Sequence, residues 1–435
     1  MKKVNLMMMG ILLTMLMVSS YIASANAETE DYVPPEVSIV MMTDFSDNTF
    51  GNNMKMSKDG KYVVADTVDN VILYSVPESF DGESEIIWNL TSHVLSYYVD
   101  INEDGSKISF VDADVNKYYC YGKTGTDDLW AFDYGINSVN KALMCADGGV
   151  FFLAIYVSSE LAYNLIGING TNGNEMWRKS IFDYPNIANF NRNGSTLGLG
   201  FANGTVLCLD GYTGDQLWKK QGLSSSVATL EISDDGSTMV TSGLDVGPFG
   251  DNVTVWDTLS GNILWNSIIE AAYKGFSMTE SGDKIIIGSY TADASDKRVR
   301  CYARNAKDLT WEIATTSQVR ATKISLDGKI AVAGIYDGMV MIIDAEVGRS
   351  IMNHNTYSSE ISLVQISDDG TVVSILTNDG MFIVYKIDVV PGTVLSNLSD
   401  LVKNLDLSHY ILMGGSALVG LILGGLLFGL TKKKK

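Results

Sequence analysis

"VLCLDGYTGDQLW", residues 206–218, is the stretch whose reading decides the fold. A short apolar run enters a polar turn with glycine, and a tryptophan follows at a fixed distance. The phrase returns as VTVWDTLSGNILW at 253–265 and LIGINGTNGNEMW at 165–177. A glycine turn recurs with it, at Gly60, Gly105, Gly148, Gly194, Gly236, Gly282, Gly328 and Gly370, at intervals of 42 to 46 residues. Most are Asp-Gly or Asn-Gly pairs, which suit tight hairpins because glycine tolerates positive φ.

Alternating runs flank each turn, such as ATLEIS and STMVTSG around Gly236. This period-two pattern, rich in Val, Ile and Thr, is strand chemistry. A third run follows, for example VILYSV at 71–76 or FIVYKI at 382–387, and a fourth carries Trp88, Trp130, Trp177, Trp218, Trp265 or Trp311. Met352 takes the tryptophan's place in the seventh unit. Four strands in about 44 residues is the arithmetic of a β-propeller blade. The expectation is an all-β propeller over residues 36–388 with eight four-stranded blades, or seven with one unit irregular. The eighth unit ends at Asp388 without a fourth strand, while EVSIVMM (36–42) stands spare before the first. Completing the last blade with it would leave no open sheet edge.

The tryptophans read as wedges between neighbouring blades, each burying roughly 150 Å² or more. A ligand-stacking platform is the other reading, but six copies around a ring suit packing better than a single site. LDGYTGDQLW resembles the tryptophan-docking phrase of PQQ-like propeller repeats. That resemblance implies that the equivalents of Gly214 and Trp218 stitch successive blades together. The match is good in units three to five and looser elsewhere. Trp256-Asp257 is similar to the dipeptide of WD40-like repeats, although the Gly-His partner of those blades is missing.

Quinoprotein dehydrogenases share such a ring, so a quinoprotein-like oxidoreductase, or another cofactor- or metal-dependent enzyme, is the alternative function. Members of that group resemble one another in adjacent cysteines and acidic calcium ligands. This chain has no adjacent cysteines and no Cys-x-x-Cys. Cys120, Cys208 and Cys301 share one slot of the third run, where other units have Val255, Ile342 and Val384, so they read as buried free thiols. Cys145 precedes a turn and could approach Cys120. There is no His-Glu-x-x-His, Gly-x-Ser-x-Gly or P-loop; the histidines are His93, His354 and His409. Paired acids such as Asp234-Asp235 and Asp368-Asp369 fall in turns, where aspartate is good turn chemistry. DADVN (112–116) offers calcium oxygen ligands at alternate positions, or is a solvated turn. No catalytic residue, resident metal or cofactor is assigned, and calcium is the one ion left open.

The ends suggest export and anchoring. Residues 1–27 read as a signal peptide: Lys2 and Lys3, an apolar stretch, then Ala25-Asn26-Ala27. Residues 389–409 read as a stalk, with Leu395, Leu398, Leu401, Val402 and Leu405 at helical spacing. Residues 410–430 are uncharged and, at 1.5 Å per residue, about long enough to span a bilayer. Lys432 to Lys435, within the basic tail 431–435, favour a cytoplasmic end. The expected protein is a single-pass cell-membrane protein with its N-terminal domain extracellular. A formal charge of −20 argues against phosphate-neutralising contacts, so nucleic acid is not an expected partner.

A propeller of this strand order has two unlike faces. The glycine turns between first and second strands define one, here called the turn face. The other, the link face, carries the loops between second and third strands and the links between blades. Enlarged loops at 155–164, 244–252 and 290–298 fall on it. So do Tyr97, Tyr98, Tyr134, Tyr184, Tyr273, Tyr357, His93, His354 and Arg320. Tyrosine joins an apolar plate to a polar tip, so this face is the candidate recognition surface for a protein or glycan, unless each ring merely caps its own blade. Asn-x-Ser/Thr sequons stand at Asn89, Asn169, Asn193, Asn203, Asn252 and Asn397, with Asn203 and Asn252 expected on the link face and Asn193 on the other. The expected function is a surface-displayed binding or scaffolding module.

Overall fold

A computed structural model describes residues 35–44, 54–66, 70–78, 85–91, 98–125, 127–223, 226–243, 251–269, 275–289, 296–357 and 360–388. The signal peptide, stalk, apolar span and basic tail read from the sequence lie outside these residues, as do His93, His409, Tyr97, Tyr273 and Asn397. Among the described residues no helix is long and apolar enough to cross a membrane.

Among the described residues thirty-two strands form eight separate four-stranded antiparallel sheets, which settles the blade count at eight. Blades one to seven occupy residues 54–91, 100–133, 138–181, 185–221, 227–269, 276–314 and 319–355. Blade eight takes its three inner strands from residues 361–388 and its outer strand from Glu36–Asp44. That outer strand runs antiparallel to Met381–Asp388, with Met41 opposite Val384. The spare strand therefore closes the ring as expected.

Each first strand lines the centre, and the second and third strands are almost wholly buried between neighbouring blades. Outer strands bulge at one fixed place. Cys208 pairs with Trp218 and Leu209 with Gln216, which leaves Leu217 unpaired and exposed. The same irregularity precedes Trp88, Trp130, Trp177, Trp265, Trp311, Met352 and Met41. The bulge turns the large side chain inward, so Met41 fills in blade eight the slot that tryptophan fills in six others.

The tryptophans bind blade to blade. Trp218 donates from Nε1 to the Thr258 carbonyl at 2.7 Å, and a methyl added to Gly261 would lie 2.6 Å from its ring. Trp177 does the same to Gly211 and Gly214, Trp130 to Gly170 and Gly173, and Trp311 to Ala345 and Gly348. Gly214 thus receives the tryptophan of the preceding blade, while Trp218 reaches the next. Blade one departs from the pattern: Trp88 Nε1 is buried and has no hydrogen-bond partner among the described residues.

All four cysteines are free and buried. Burial pushes the thiols of Cys120, Cys145 and Cys208 up to about 12 and that of Cys301 to about 11. One loop expectation is corrected. Residues 155–164 are mainly two extended strands, Val150–Val157 and Ala162–Asn169, with a four-residue tip. Alternating Tyr156 and Tyr163 pair across this hairpin, which keeps it in the sheet.

Candidate functional site: a sealed channel and an open link face

The first strands enclose a central cavity of about 550 Å³. At the turn face a ring of main-chain hydrogen bonds bounds it. Asp59 N–H donates to the Glu103 carbonyl, Glu103 to Ala146, Asp147 to Arg192 and Arg192 to Asp234. Asp235 then donates to Glu280, Glu280 to Leu326, Leu326 to Asp368 and Asp368 to Lys58. These eight bonds visit every blade once and return to the first.

Side chains at the same level cross the opening. Arg192 of blade four binds Asp368 of blade eight at 2.8 Å, Asp234 at 3.2 Å and Glu103 at 2.8 Å. Lys58 of blade one reaches Asp234 at 3.3 Å and Asp368 at 3.7 Å. Burial opposes the Arg192 charge, but Asp368, Glu103 and Asp234 outweigh it and hold the guanidinium above its ordinary value. This lattice obstructs the channel at the turn face.

The two aspartates of each paired turn do different things. Asp235 and Asp369 accept hydrogen bonds within their own hairpins, from Ser237 N–H and Thr371 N–H. Asp234 and Asp368 instead point across the channel to cations on opposite blades. Sequence reading assigned all four to turn chemistry. The missed signal is the residue one place before the turn's Asp or Asn, which carries Lys58, Glu103, Arg192, Asp234 and Asp368 in register.

Deeper in the channel, Lys323 pairs with Glu231 at 3.5 Å, and Asn189 donates to Glu231. Burial raises the Asp100 carboxyl, while Lys55 and the N–H groups of Met144 and Ile101 oppose the shift. Among the described residues no group of three or more His, Cys, Asp or Glu is placed to hold a metal ion. Asp112 of DADVN is buried, and its Oδ1 accepts the N–H groups of Asp114 and Val115, so that oxygen is used by the turn.

On the link face the predicted residues fall in two sectors on opposite sides of the ring. Tyr184 stands in the first sector, edge-on to Tyr163 at 5.6 Å, and Tyr163 lies 5.0 Å from Tyr156. Burial, and then Tyr184, raise the Tyr98 hydroxyl. Tyr134 belongs to the interior, with its hydroxyl donated to the Asp112 carbonyl. In the second sector, on blades seven and eight, Arg320 binds Glu360 at 2.6 Å and lies over Tyr336. Tyr357 is 93% exposed at φ +55°. His354 is half-buried with Nδ1 2.7 Å from the Tyr385 hydroxyl, and burial lowers its pKa.

Sequence reading missed the exposed apolar residues of this sector. Ile136 is 97% exposed, Phe182 84% and Leu161 72%, and Val115 is also exposed. All lie on loops or links of blades two to four. The three positive-φ residues other than glycine among the described residues, Asn116, Leu161 and Tyr357, are also on this face. Of the sequons, Asn203 is exposed beside this sector and donates to Asp183, whereas Asn193 and Asn169 use Oδ1 in turn-face hairpins. Asn89 is exposed on the outer strand of blade one, and Asn252 lies in the third strand of blade five.

Residues 202–385 match the family model described as Outer membrane protein assembly factor BamB, which bears out the PQQ-type repeat. Solved structures share the architecture. BamB from Moraxella catarrhalis is 17% identical, with 81% of this chain and 100% of that chain covered at a TM-score of 0.58. Sqt1 of Saccharomyces cerevisiae is 13% identical over 83% of this chain and 100% of its own, at 0.60. The computationally designed Ika8 protein is 14% identical over 78% and 96%, at 0.61. At these identities the likeness shows the fold alone. No curated protein matches the sequence.

Proposed function

We propose that the chain is an exported, membrane-anchored propeller that serves as a binding scaffold for a protein partner, with the link face as its recognition surface. The carrying observation is the asymmetry of the two faces. The turn face is tied by the hydrogen-bond ring and the Arg192 lattice. The link face displays Ile136, Leu161 and Phe182 on successive loops and links of blades two to four, and Tyr357, to solvent, whereas the turn face's exposed Leu259 and Val347 stand singly on blades five and seven. Exposed apolar groups clustered on a rigid frame are the usual mark of an interaction surface. A protein partner suits aliphatic Ile136 and Leu161 better than a glycan does. The signal-like residues 1–27 and the apolar span 410–430 support export and anchoring. The matched family, described as an assembly factor for outer membrane protein, is consistent with a protein partner.

The test is capture. Tagged full-length chain would be cross-linked in its native membrane and purified, and co-purifying proteins and glycans quantified by mass spectrometry. A parallel preparation would carry Tyr184→Ala, Tyr357→Ala and Arg320→Ala together. A reproducible protein partner that the triple variant loses supports the reading. A stoichiometric chromophore or metal without such a partner overturns it in favour of cofactor chemistry.

A further inference from the structure

We infer that the blade-two-to-four sector of the link face docks a basic, amphipathic segment of the partner protein; this rests on the scaffold reading above. The sector's core is apolar. Leu161 caps the tip of the blade-three hairpin at φ +52°, a conformation that L side chains seldom adopt, and its side chain faces solvent. Phe182 and Ile136 occupy the links on either side of that blade. The Tyr156–Tyr163–Tyr184 ladder joins the blade-three hairpin to the link that carries Phe182. A tip held in a costly backbone conformation to present an apolar group is hard to explain by folding alone.

The sector's rim carries several exposed acids, with Lys117 opposite Asp133 in the sheet. Asp114, Asp133 and Glu160 are exposed, and none closes a salt bridge among the described residues. Asp183 is paired with Lys219. A hydrophobic centre with a negative border is complementary to a segment that alternates apolar and basic residues. A second copy of this chain is disfavoured, because the protein carries −20 and would bring like charges together.

The test uses full-length chain in phosphatidylcholine nanodiscs, with empty discs subtracted. The probes are two fluorescent peptides, one built from leucine and lysine at helical spacing and its leucine-glutamate counterpart. Binding is read by anisotropy. The lysine peptide is expected to bind and the glutamate peptide not. Ile136→Ser/Leu161→Ser/Phe182→Ser and Asp114→Asn/Asp133→Asn/Glu160→Gln are each expected to weaken binding by ~10-fold or more. Leu259→Ser/Val347→Ser, exposed on the turn face, should change it less than about twofold. Tryptophan fluorescence checks that every variant is folded.

Equal binding by all variants, or by both peptides, overturns the proposal. So does self-association abolished by the apolar variant, which would assign the surface to a second copy. If these arms fail while the capture experiment still yields a partner, this docking mode falls and the scaffold reading stands. If capture yields none, the scaffold reading itself falls.

Discussion

Arg192 and Asp368 meet at 2.8 Å across the centre of the ring, from blades four and eight, so one ion pair ties opposite walls of the propeller. Replacing Arg192 with methionine leaves Glu103, Asp234 and Asp368 facing one another with Lys58 alone to offset them. The side chains are 16% to 35% exposed, so the full cost of an orphaned buried charge does not apply. The expected loss is about 1–3 kcal/mol by urea denaturation. Asp368→Asn should cost less, because Arg192 keeps two carboxylates.

The tryptophans make a sharper comparison, since the same residue type has a partner in one blade and none in another. Trp218→Phe removes the bond to the Thr258 carbonyl, while Trp88→Phe removes an N–H that has no bond to lose among the described residues. The first variant should be less stable than the second by about 1–2 kcal/mol. Equal destabilisation would mean that ring volume, rather than the indole N–H, does the docking.

The repeat made the propeller legible because every blade solves the same problem with the same residues. The tryptophan slot, the hairpin glycine and the spare strand 36–42 all show at fixed spacing in the sequence. The site was far less legible. Lys58 and Asp234 lie 176 residues apart, and only the ring's circular closure makes them neighbours. Tyr134 looked like a surface plate until packing placed it inside. Leu161 and Phe182 read as ordinary apolar residues, since exposure is decided by which hairpin extends, and spacing does not show that.

Cys145 occupies a position that other blades fill with Ser57, Ser233, Ser325 or Ser367. Its sulfur lies 3.0 Å from Asp147 Oδ1 and accepts the Val150 N–H, as the serine hydroxyls do in their own hairpins. Cys145→Ser should therefore shift stability by less than about 0.5 kcal/mol. Native protein should react with an aromatic disulfide reagent at none of its four thiols, which burial holds in the protonated form, and at all four after unfolding.

Acid should weaken the hairpins. Burial alone would raise Asp369, but the N–H and hydroxyl of Thr371 and the Ser367 hydroxyl outweigh it and depress the carboxyl below 3.8. Asp235 and Asp327 are depressed against burial in the same way, and Asp104 chiefly through Ser106. A depressed folded-state value means that the stability is complete above the unfolded value, 3.8, and is lost as pH falls through the folded ones. The urea midpoint should fall steeply below about pH 4. Asp369→Asn, which keeps an acceptor but no charge, should flatten that fall.

Closure of the ring depends on a strand borrowed from the far end of the sequence. Without Glu36–Asp44, the Met381–Asp388 strand would present a bare edge, and the cluster of Val40, Met41, Met54 and Phe382 would lose its outer wall. Unpaired edges invite pairing between molecules. A chain lacking residues 36–44 should melt at lower temperature and associate with rising concentration, seen by sedimentation velocity. Met41→Ala separates packing from pairing. It keeps the main-chain ladder but empties the slot that tryptophan fills elsewhere, so it should cost about 2–3 kcal/mol and leave the association state unchanged. If the truncated chain associates no more than the full chain and is equally stable, seven full blades and a three-stranded eighth suffice to hold the ring, and the borrowed strand is not its clasp.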